Sequence, residues 1–261
     1  MTIRVAQITD MHLTANPGSK LYGVDTAQSL KNVIKEIRKL PKIPDVIIAT
    51  GDIAEDGSKI TYRHLQDLLA ELKLPVCVLP GNHDDMSEMR SSFYVDGYHC
   101  TTAMRFHDWG FIFVNSQVEG QSHGYVSFSE FTELERNISA LEGHPILIAL
   151  HHTPSNICPS LGCQLKNSKE FTAFLNKYPN VKGVIAVHTH NTFKINAGGH
   201  VQFTTPSTFA HVTHAQLGET VDHNDFWASH RPDGSLQGFR VLDLFPEGVI
   251  QSEVHWMRTE R

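Results

Sequence analysis

Eight short apolar runs constrain the fold more than any other feature of this sequence. Each run is apolar at consecutive positions rather than at alternate ones, which is typical of strands buried on both faces. The runs lie at residues 5–9, 46–50, 76–80, 111–115, 146–150, 183–187, 201–205 and 239–244. They predict β-sheets that are covered on both sides.

Amphipathic helical patterns separate several of these runs. Apolar residues recur with the i, i+3, i+4, i+7 spacing of one helical face within residues 30–40, 62–72, 131–141 and 171–175. Strands that alternate with helices in this way predict an α/β fold. At the end of the chain, residues 238–257 alternate enough to predict a closing β-hairpin that turns at 246–248.

The organisation of the chain favours a single domain. Its 261 residues, 40% of them hydrophobic, can bury a sizeable core. No repeat or Pro/Gly-rich linker divides them, so we expect one domain over 1–261. Residues 206–235 are polar and aperiodic, and we expect them to form a cap or dimerisation lobe, with a homodimer as one outcome.

Composition also limits which partners the protein can bind and in which compartment it is expected. The formal net charge is -6 without a basic run, which argues against binding of long nucleic acids. No apolar run reaches the roughly 20 residues of a membrane span, and the N-terminus lacks a secretory h-region. We therefore expect a cytoplasmic protein without a membrane partner. A disulfide or metal pair at Cys158 and Cys163 is an alternative to the reduced thiols that this location favours.

Side chains that bind metals or move protons follow five of the predicted strands. Each alone is more typical of a turn than of a site. Together they are informative, since ligands gather outside the carboxyl ends of strands in α/β sheets. These residues are Asp10 and His12, Asp52, Asn82 and His83, His151, and His188 and His190.

The ordered series D-x-H, G-D, G-N-H-D, H and H-x-H, from residue 10 to residue 190, resembles the calcineurin-like metallophosphoesterases. The segments "LYGVDT" (21–26), "GDIAEDG" (51–57), "GNHDD" (81–85) and "HHTP" (151–154) resemble the branch that cleaves cyclic nucleotides and glycerophosphodiesters. The resemblance implies a four-layer αββα sandwich. Two mixed β-sheets would be flanked by helices, with a small C-terminal cap or lobe.

The resemblance also implies two metal ions with a shared carboxylate ligand. Asp52 would bridge the two cations. The first metal would be held by Asp10, His12, Asp52 and His190, and the second by Asp52, Asn82, His151 and His188. Mixed nitrogen and oxygen ligands favour divalent or mixed-valence Fe, Mn, Zn or Co.

The implied activity is that of a metal-dependent phosphoric diester hydrolase acting on small phosphodiesters. A metal-bound hydroxide would attack phosphorus in line with the leaving alcohol. His83, beside the ligand Asn82, would protonate the leaving group, and Asp52 would act through the metals it bridges. Glu55, Asp56 and Asp84 are open alternatives for the residue that orients His83.

Some features leave alternatives open. The family usually has glycine where this chain has Val187, which is expected to shift His188 and weaken the second metal. His152 is not expected to be a ligand, whereas His211 and His214 either line the substrate side or decorate a loop. A phosphomonoesterase or nucleotidase on the same metal core is the alternative function, followed by a non-catalytic scaffold.

Overall fold

Two six-stranded β-sheets form the centre of the protein, for which a computed structural model describes residues 1–155, 164–212 and 232–258. The strands are β1 (Ile3–Ile8), β2 (Lys20–Leu21), β3 (Val24–Asp25), β4 (Val46–Thr50), β5 (Val76–Leu79), β6 (Tyr98–His99), β7 (Ala103–Phe106), β8 (Trp109–Val114), β9 (Ile146–His152), β10 (Val181–Val187), β11 (Phe193–Ala197), β12 (His200–Thr204), β13 (His211–Val212), β14 (Pro232–Asp233), β15 (Leu236–Leu244) and β16 (Ile250–Arg258). The helices are α1 (Thr26–Lys39), α2 (Lys59–Leu69), α3 (Met86–Ser92), α4 (Phe128–Ala140) and α5 (Ser168–Leu175), and a 3₁₀ turn spans Ala70–Leu72.

Both large sheets are mixed. The first has the order β16-β15-β1-β4-β5-β6, in which β1, β4, β5 and β6 are parallel neighbours and β15 runs antiparallel to β1 and β16. The second has the order β11-β12-β10-β9-β8-β7, with parallel pairing from β12 to β8 and antiparallel strands at both edges. Parallel strands at the centre place their carboxyl ends at one edge of each sheet.

The chain packs in four layers, which confirms the predicted αββα sandwich. Val5 of β1 belongs to the core between the two sheets, whereas its neighbour Ala6 belongs to the core between the first sheet and the first three helices. A third core joins the outer face of the second sheet, including Ile148, to α4 and α5. Because successive strand residues face two different buried layers, the strands are continuously apolar.

The closing hairpin is also as predicted. Leu244 of β15 pairs with Ile250 of β16, and the backbone N–H of Phe245 donates to the carbonyl of Val249. Gly248 has a φ of +87°, a conformation that glycine adopts without strain. The sequence patterns missed the short helix α3, which begins where the Asp85 side chain accepts the N–H of Glu88.

Parts of three sequence-based expectations lie outside the described residues. These parts are the loop with Cys158 and Cys163, His214, and residues 213–231 of the expected cap or dimerisation lobe. Cys77, by contrast, is fully buried in β5 between the two sheets, as its apolar neighbours suggest. In the described ranges, no helix combines the length and the apolar character needed to cross a membrane.

Candidate metal centre

The predicted site residues meet where the strands of the two sheets end. Asp10 and His12 follow β1, Asp52 follows β4, and the remaining residues follow β5 or lie at the ends of β9 and β10. The side chains are buried although they are polar: Asp10 is 0% exposed, His12 1% and Asp52 2%. Buried polar groups at this density require partners.

The backbone is strained at most of these positions. Eight non-glycine residues in the described part of the chain have a positive φ, a region that residues with a β-carbon rarely adopt. Strain of this kind persists where the surrounding structure enforces it, and it concentrates at functional sites. Five of the eight are predicted metal ligands, namely Asp10, His12, Asp52, His188 and His190.

Three of the histidines have the same hydrogen-bond arrangement. Nδ1 of His12 lies 2.7 Å from Oε2 of Glu55, Nδ1 of His151 lies 3.0 Å from the carbonyl of Thr50, and Nδ1 of His190 lies 3.2 Å from the carbonyl of Ala210. These oxygens only accept, so Nδ1 carries the hydrogen. In the neutral ring Nε2 is then left with its lone pair, as metal-binding histidines require.

Each of these Nε2 atoms faces a carboxylate oxygen. Oδ2 of Asp52 lies 3.8 Å from Nε2 of His12 and 3.3 Å from Nε2 of His151. Oδ1 of Asp10 lies 3.4 Å from Nε2 of His190. Two acceptor atoms that face one another repel unless a proton or a metal cation lies between them. Asp52 therefore connects two groups of candidate ligand atoms, one around His12 and one around His151.

The pKa values of Asp52 and His151 show that the buried carboxylate is stabilised by a neighbouring positive charge. Burial alone would raise the pKa of Asp52, yet the neighbouring His151 holds it well below its usual range. Burial opposes charge on His151 as well, but Asp52 raises the pKa of this histidine to about 9. Among the described residues no Lys or Arg forms an ion pair with Asp10 or Asp52. A bound metal ion would supply this positive charge in place of the proton on His151.

The second group of candidate ligands includes an unsatisfied amide. Oδ1 of Asn82 is buried and has no hydrogen-bond partner among the described residues, which is costly unless it binds a ligand. Nδ1 of His188 lies 3.0 Å from Nε2 of His151. Burial and then the charge on His151 lower the pKa of His188 to about 3, which keeps its ring neutral. The donor set therefore fits transition metals.

Asp84 holds the loops after β4 and β5 together. Its carboxylate accepts the backbone N–H groups of Gly81, Ile53 and Ala54 at 2.9 to 3.2 Å, and the hydroxyl of Tyr62 at 3.2 Å. The loops approach so closely that a β-carbon on Gly81 would lie 2.2 Å from Oδ1 of Asp52. Asp84 thus shapes the loops and is not the residue that orients His83.

Of the three candidate carboxylates, that of Glu55 lies beside the ring of His83. Oε2 of Glu55 lies 3.3 Å from Nδ1 of His83, while Asp56 instead accepts from the backbone N–H of Ser58 and the hydroxyl of Thr61. The backbone N–H of His83 donates to Oδ1 of Asp52 at 3.0 Å. With its side chain 30% exposed, His83 is more accessible than the buried candidate ligands.

The remaining histidines and Val187 have distinct surroundings. Val187 is fully buried at the end of β10, and the described distance between His188 and His151 shows that it has not moved His188 out of the cluster. Nδ1 of His152 is bonded to the hydroxyl of Ser116 at 2.8 Å, although its ring also borders that of His188. His211 packs edge-on against Trp256 of β16 instead of among the candidate ligands.

A buried segment after β12 is a part of the site that the sequence patterns missed. The hydroxyl of Ser207 donates to the carbonyl of Asp10 at 2.7 Å, and the N–H of Thr208 donates to the carbonyl of Thr9 at 3.0 Å. Ala210 supplies the carbonyl for His190. Residues 206–210, the first part of the segment 206–235 that we expect to form a cap or dimerisation lobe, therefore form a wall of the cluster. Their position after a strand, as in the other blocks, was the available clue.

Comparison with known proteins places this site in a family. A family model described as calcineurin-like phosphoesterase matches residues 3–192. The chain is 32% identical over 262 residues to the 3′,5′-cyclic adenosine monophosphate phosphodiesterase CpdA of Escherichia coli strain K12, with 99% of this chain and 91% of that protein covered. It is 30% identical over 257 residues to a 3′,5′-cyclic-nucleotide phosphodiesterase of Nostoc sp., with 97% and 92% covered. The chain belongs to the calcineurin-like phosphoesterases.

Solved structures agree on the fold. A dimetal phosphatase from Danio rerio has a TM-score of 0.68 at 14% sequence identity, with 98% of each chain covered. At this identity the similarity concerns the fold alone. The family and the named phosphodiesterase relatives confirm the prediction of a metal-dependent phosphoric diester hydrolase. The family uses divalent metals, and the described His and Asp clusters provide candidate binding sites.

Proposed function

We propose that this protein is a binuclear phosphodiesterase for small diesters of the cyclic-nucleotide or glycerophosphodiester class, with cyclic nucleotides favoured. The named relatives support this substrate class, because they match nearly the whole chain at about 30% identity. The observation that carries the proposal is the orientation of His12, His151 and His190. In all three rings Nδ1 is bonded to an oxygen, and Nε2 faces a buried carboxylate.

The proposed ligands divide into two sets around the carboxylate of Asp52. Asp10, His12, Asp52 and His190 would hold one cation, and Asp52, Asn82, His151 and His188 would hold the other. Their nitrogen and oxygen atoms suit Mn, Fe, Zn or Co. When bound, two such cations supply positive charge for the phosphate oxygens and lower the pKa of a water that attacks phosphorus.

His83 has the position of a proton donor to the leaving group. Oε2 of Glu55 lies 3.3 Å from its Nδ1, so Nε2 is the atom that remains to give a proton. Burial works against charge on the ring, but Asp52 and then Glu55 raise the pKa of His83, which favours the protonated form. As the bond between phosphorus and the ester oxygen breaks, this oxygen takes the proton from Nε2 and leaves as an alcohol.

The overall charge supports a small substrate. With a net charge of -6 and no basic run, the chain lacks the cationic surface that long nucleic acids require. A phosphodiester of nucleotide size needs positive charge only at the site itself. We propose the cytoplasm as the place of action, where cyclic nucleotides act as small soluble substrates.

The test is hydrolysis of cyclic AMP by the purified full chain after it is loaded with Mn²⁺. We expect conversion to AMP that is lost on chelation and in Asp52→Ala, and retained in Asp67→Ala, which removes an exposed carboxylate of α2. Glycerophosphodiesters are assayed in parallel. If only glycerophosphodiesters are hydrolysed, they and not cyclic nucleotides are the substrates within the proposed class. No turnover of any diester by a protein with two bound metals would overturn it.

A further inference from the structure

A buried arginine lies beneath the metal centre and has no role in the chemistry described above. Arg240 of β15 is 3% exposed, and no carboxylate in the described part of the chain pairs with it. Burial lowers the pKa of this guanidinium to about 10. A buried cation without an anionic partner is costly, so its presence calls for an explanation.

Neutral oxygens satisfy the guanidinium. Nε donates to Oγ1 of Thr205 at 3.0 Å, and Nη2 donates to Oγ1 of Thr192 at 2.7 Å and to the carbonyl of Thr204 at 2.5 Å. Nη1 donates to the hydroxyl of Ser252. These four partners belong to three segments of the chain, from both sheets. A planar fork with five N–H groups can join them, which a lysine could not.

One branch leads from Arg240 to a candidate metal ligand. The hydroxyl of Thr205 donates to Oε1 of Gln7 at 2.5 Å, and Nε2 of Gln7 donates to Oγ1 of Thr50 at 3.0 Å. The carbonyl of Thr50 is the acceptor for Nδ1 of His151. All these groups are buried, and the donors point in one direction from Arg240 to Thr50. Such chains strengthen each bond and fix the orientation of each side chain.

The other branch reaches the loop that carries the H-x-H ligands. Thr192, which accepts from Arg240, lies two residues after His190. Thr204, whose carbonyl also accepts from Arg240, ends β12 two residues before the buried segment 206–210. The carbonyl of Ala210 in that segment is the acceptor for His190. Arg240 therefore contacts the chain on both sides of this ligand.

We propose that Arg240 is a positioning residue of the metal centre, which aligns His151 through Thr205, Gln7 and Thr50, and His190 through the segments on either side of it. The inference rests on the proposed metal-binding function. It assigns the effect of Arg240 to its hydrogen bonds and not to its charge, since a nearby positive charge alone would weaken cation binding. Partners behind metal ligands typically change metal affinity about 10- to 100-fold.

The experiment measures binding of Mn²⁺ to the metal-free full chain by isothermal titration calorimetry or equilibrium dialysis. The variants are Arg240→Met, Arg240→Lys and Thr205→Val. Thr205→Val keeps the shape of the side chain and removes only the hydroxyl that links Arg240 to Gln7. We expect the Kd for Mn²⁺ to rise about tenfold or more in Arg240→Met and Thr205→Val, with Arg240→Lys between them and the wild type. Circular dichroism verifies that each variant is folded.

Arg4→Met is the matched control. Arg4 bonds Asp243 on the same two strands, β1 and β15, but at the end away from the metal centre. This variant should keep the wild-type Kd. An unchanged or lower Kd in Arg240→Met and Thr205→Val, or an equal rise in Arg4→Met, would overturn the inference.

The wild type and Asp52→Ala separate this inference from the proposed function. If the wild type binds Mn²⁺ and Asp52→Ala does not, the proposed metal centre is supported. The Arg240 variants then test only the positioning role of Arg240. If the wild type binds no Mn²⁺, the proposed function and the inference fall together.

Discussion

Oε2 of Glu55 lies 3.3 Å from Nδ1 of His83, and the same oxygen lies 2.7 Å from Nδ1 of His12. One carboxylate oxygen thus joins the proposed proton donor to a proposed metal ligand. The side chain of Glu55 is 30% exposed, whereas that of His12 is buried. The proposed proton donor and the proposed metal ligand therefore share one neighbouring carboxylate.

Glu55→Gln is expected to impair catalysis in a way that depends on the leaving group. An amide accepts a weaker hydrogen bond than a carboxylate, and it holds the ring of His83 less firmly. The kcat for a diester with an alkyl leaving group should fall about 100-fold, as expected for loss of general acid catalysis. The kcat for bis(p-nitrophenyl) phosphate should fall much less, because p-nitrophenolate leaves without a proton.

The control for this prediction is Glu142→Gln, which changes an exposed carboxylate after α4 and should leave both rates unchanged. Equal losses on the two substrates in Glu55→Gln would mean that Glu55 acts through His12 and the metal, and not by orienting a proton donor.

Gly81→Ala is expected to abolish metal binding. The added β-carbon would lie 2.2 Å from Oδ1 of Asp52 and 2.4 Å from its backbone nitrogen, so the shared carboxylate must move. Gly199→Ala is the matched control, since a β-carbon there meets nothing within 4 Å and the backbone φ is not positive. Metal content of the purified proteins, measured by mass spectrometry, tests the pair. Full occupancy in Gly81→Ala would be inconsistent with Asp52 as a ligand.

Asp84→Asn is expected to destabilise the fold itself. An amide places an NH₂ group where a carboxylate oxygen now accepts N–H groups, so buried donors lose their partners. The free energy of unfolding should fall by about 2 to 3 kcal/mol. Tyr62→Phe, which removes a neutral donor to the same carboxylate and the acceptor of the Asp85 backbone N–H, should cost about 1 kcal/mol. Urea unfolding of the metal-free proteins measures both, and an equal loss would contradict the role of Asp84 as the acceptor of three buried backbone N–H groups.

The ion pair of Arg4 and Asp243 gives a prediction for the pH dependence of stability. Hydrogen bonds from Arg4 lower the pKa of Asp243, so the pair stabilises the fold above the unfolded-state pKa of about 4. This contribution is lost as the pH falls through the lower pKa of the folded state. Asp243→Asn should therefore cost up to about 1 kcal/mol at pH 7 and nothing under strongly acidic conditions. A cost that is independent of pH would contradict it.

The sequence predicted the fold well because its strands are buried on both faces. A run such as 46–50 is apolar at every position, and the structure shows β4 over the same residues. Short edge elements such as β7 and β11 were missed, because the pattern of burial in half-exposed strands is weak. Helix α3 was missed as well, since it is set by the cap at Asp85 and not by apolar periodicity.

The candidate site was predictable where the chemistry lies in consecutive residues, as in the blocks after β1, β4 and β5. The structure brings these blocks together with those at the ends of β9 and β10. Contacts between distant segments were not predictable. Nothing in the sequence links Arg240 to Thr205, or Ser207 to Asp10, because these contacts depend on how the two sheets pack. Similarly, spacing alone could not distinguish Glu55 from Asp56 and Asp84.

The most direct test of the central claim compares hydrolysis of bis(p-nitrophenyl) phosphate and p-nitrophenyl phosphate by the Mn²⁺-loaded protein and by Asp52→Ala. We expect the diester to be cleaved faster, in a reaction that depends on the metal and is lost in Asp52→Ala. A faster rate on the monoester, or a diesterase rate that survives the loss of Asp52, would contradict it.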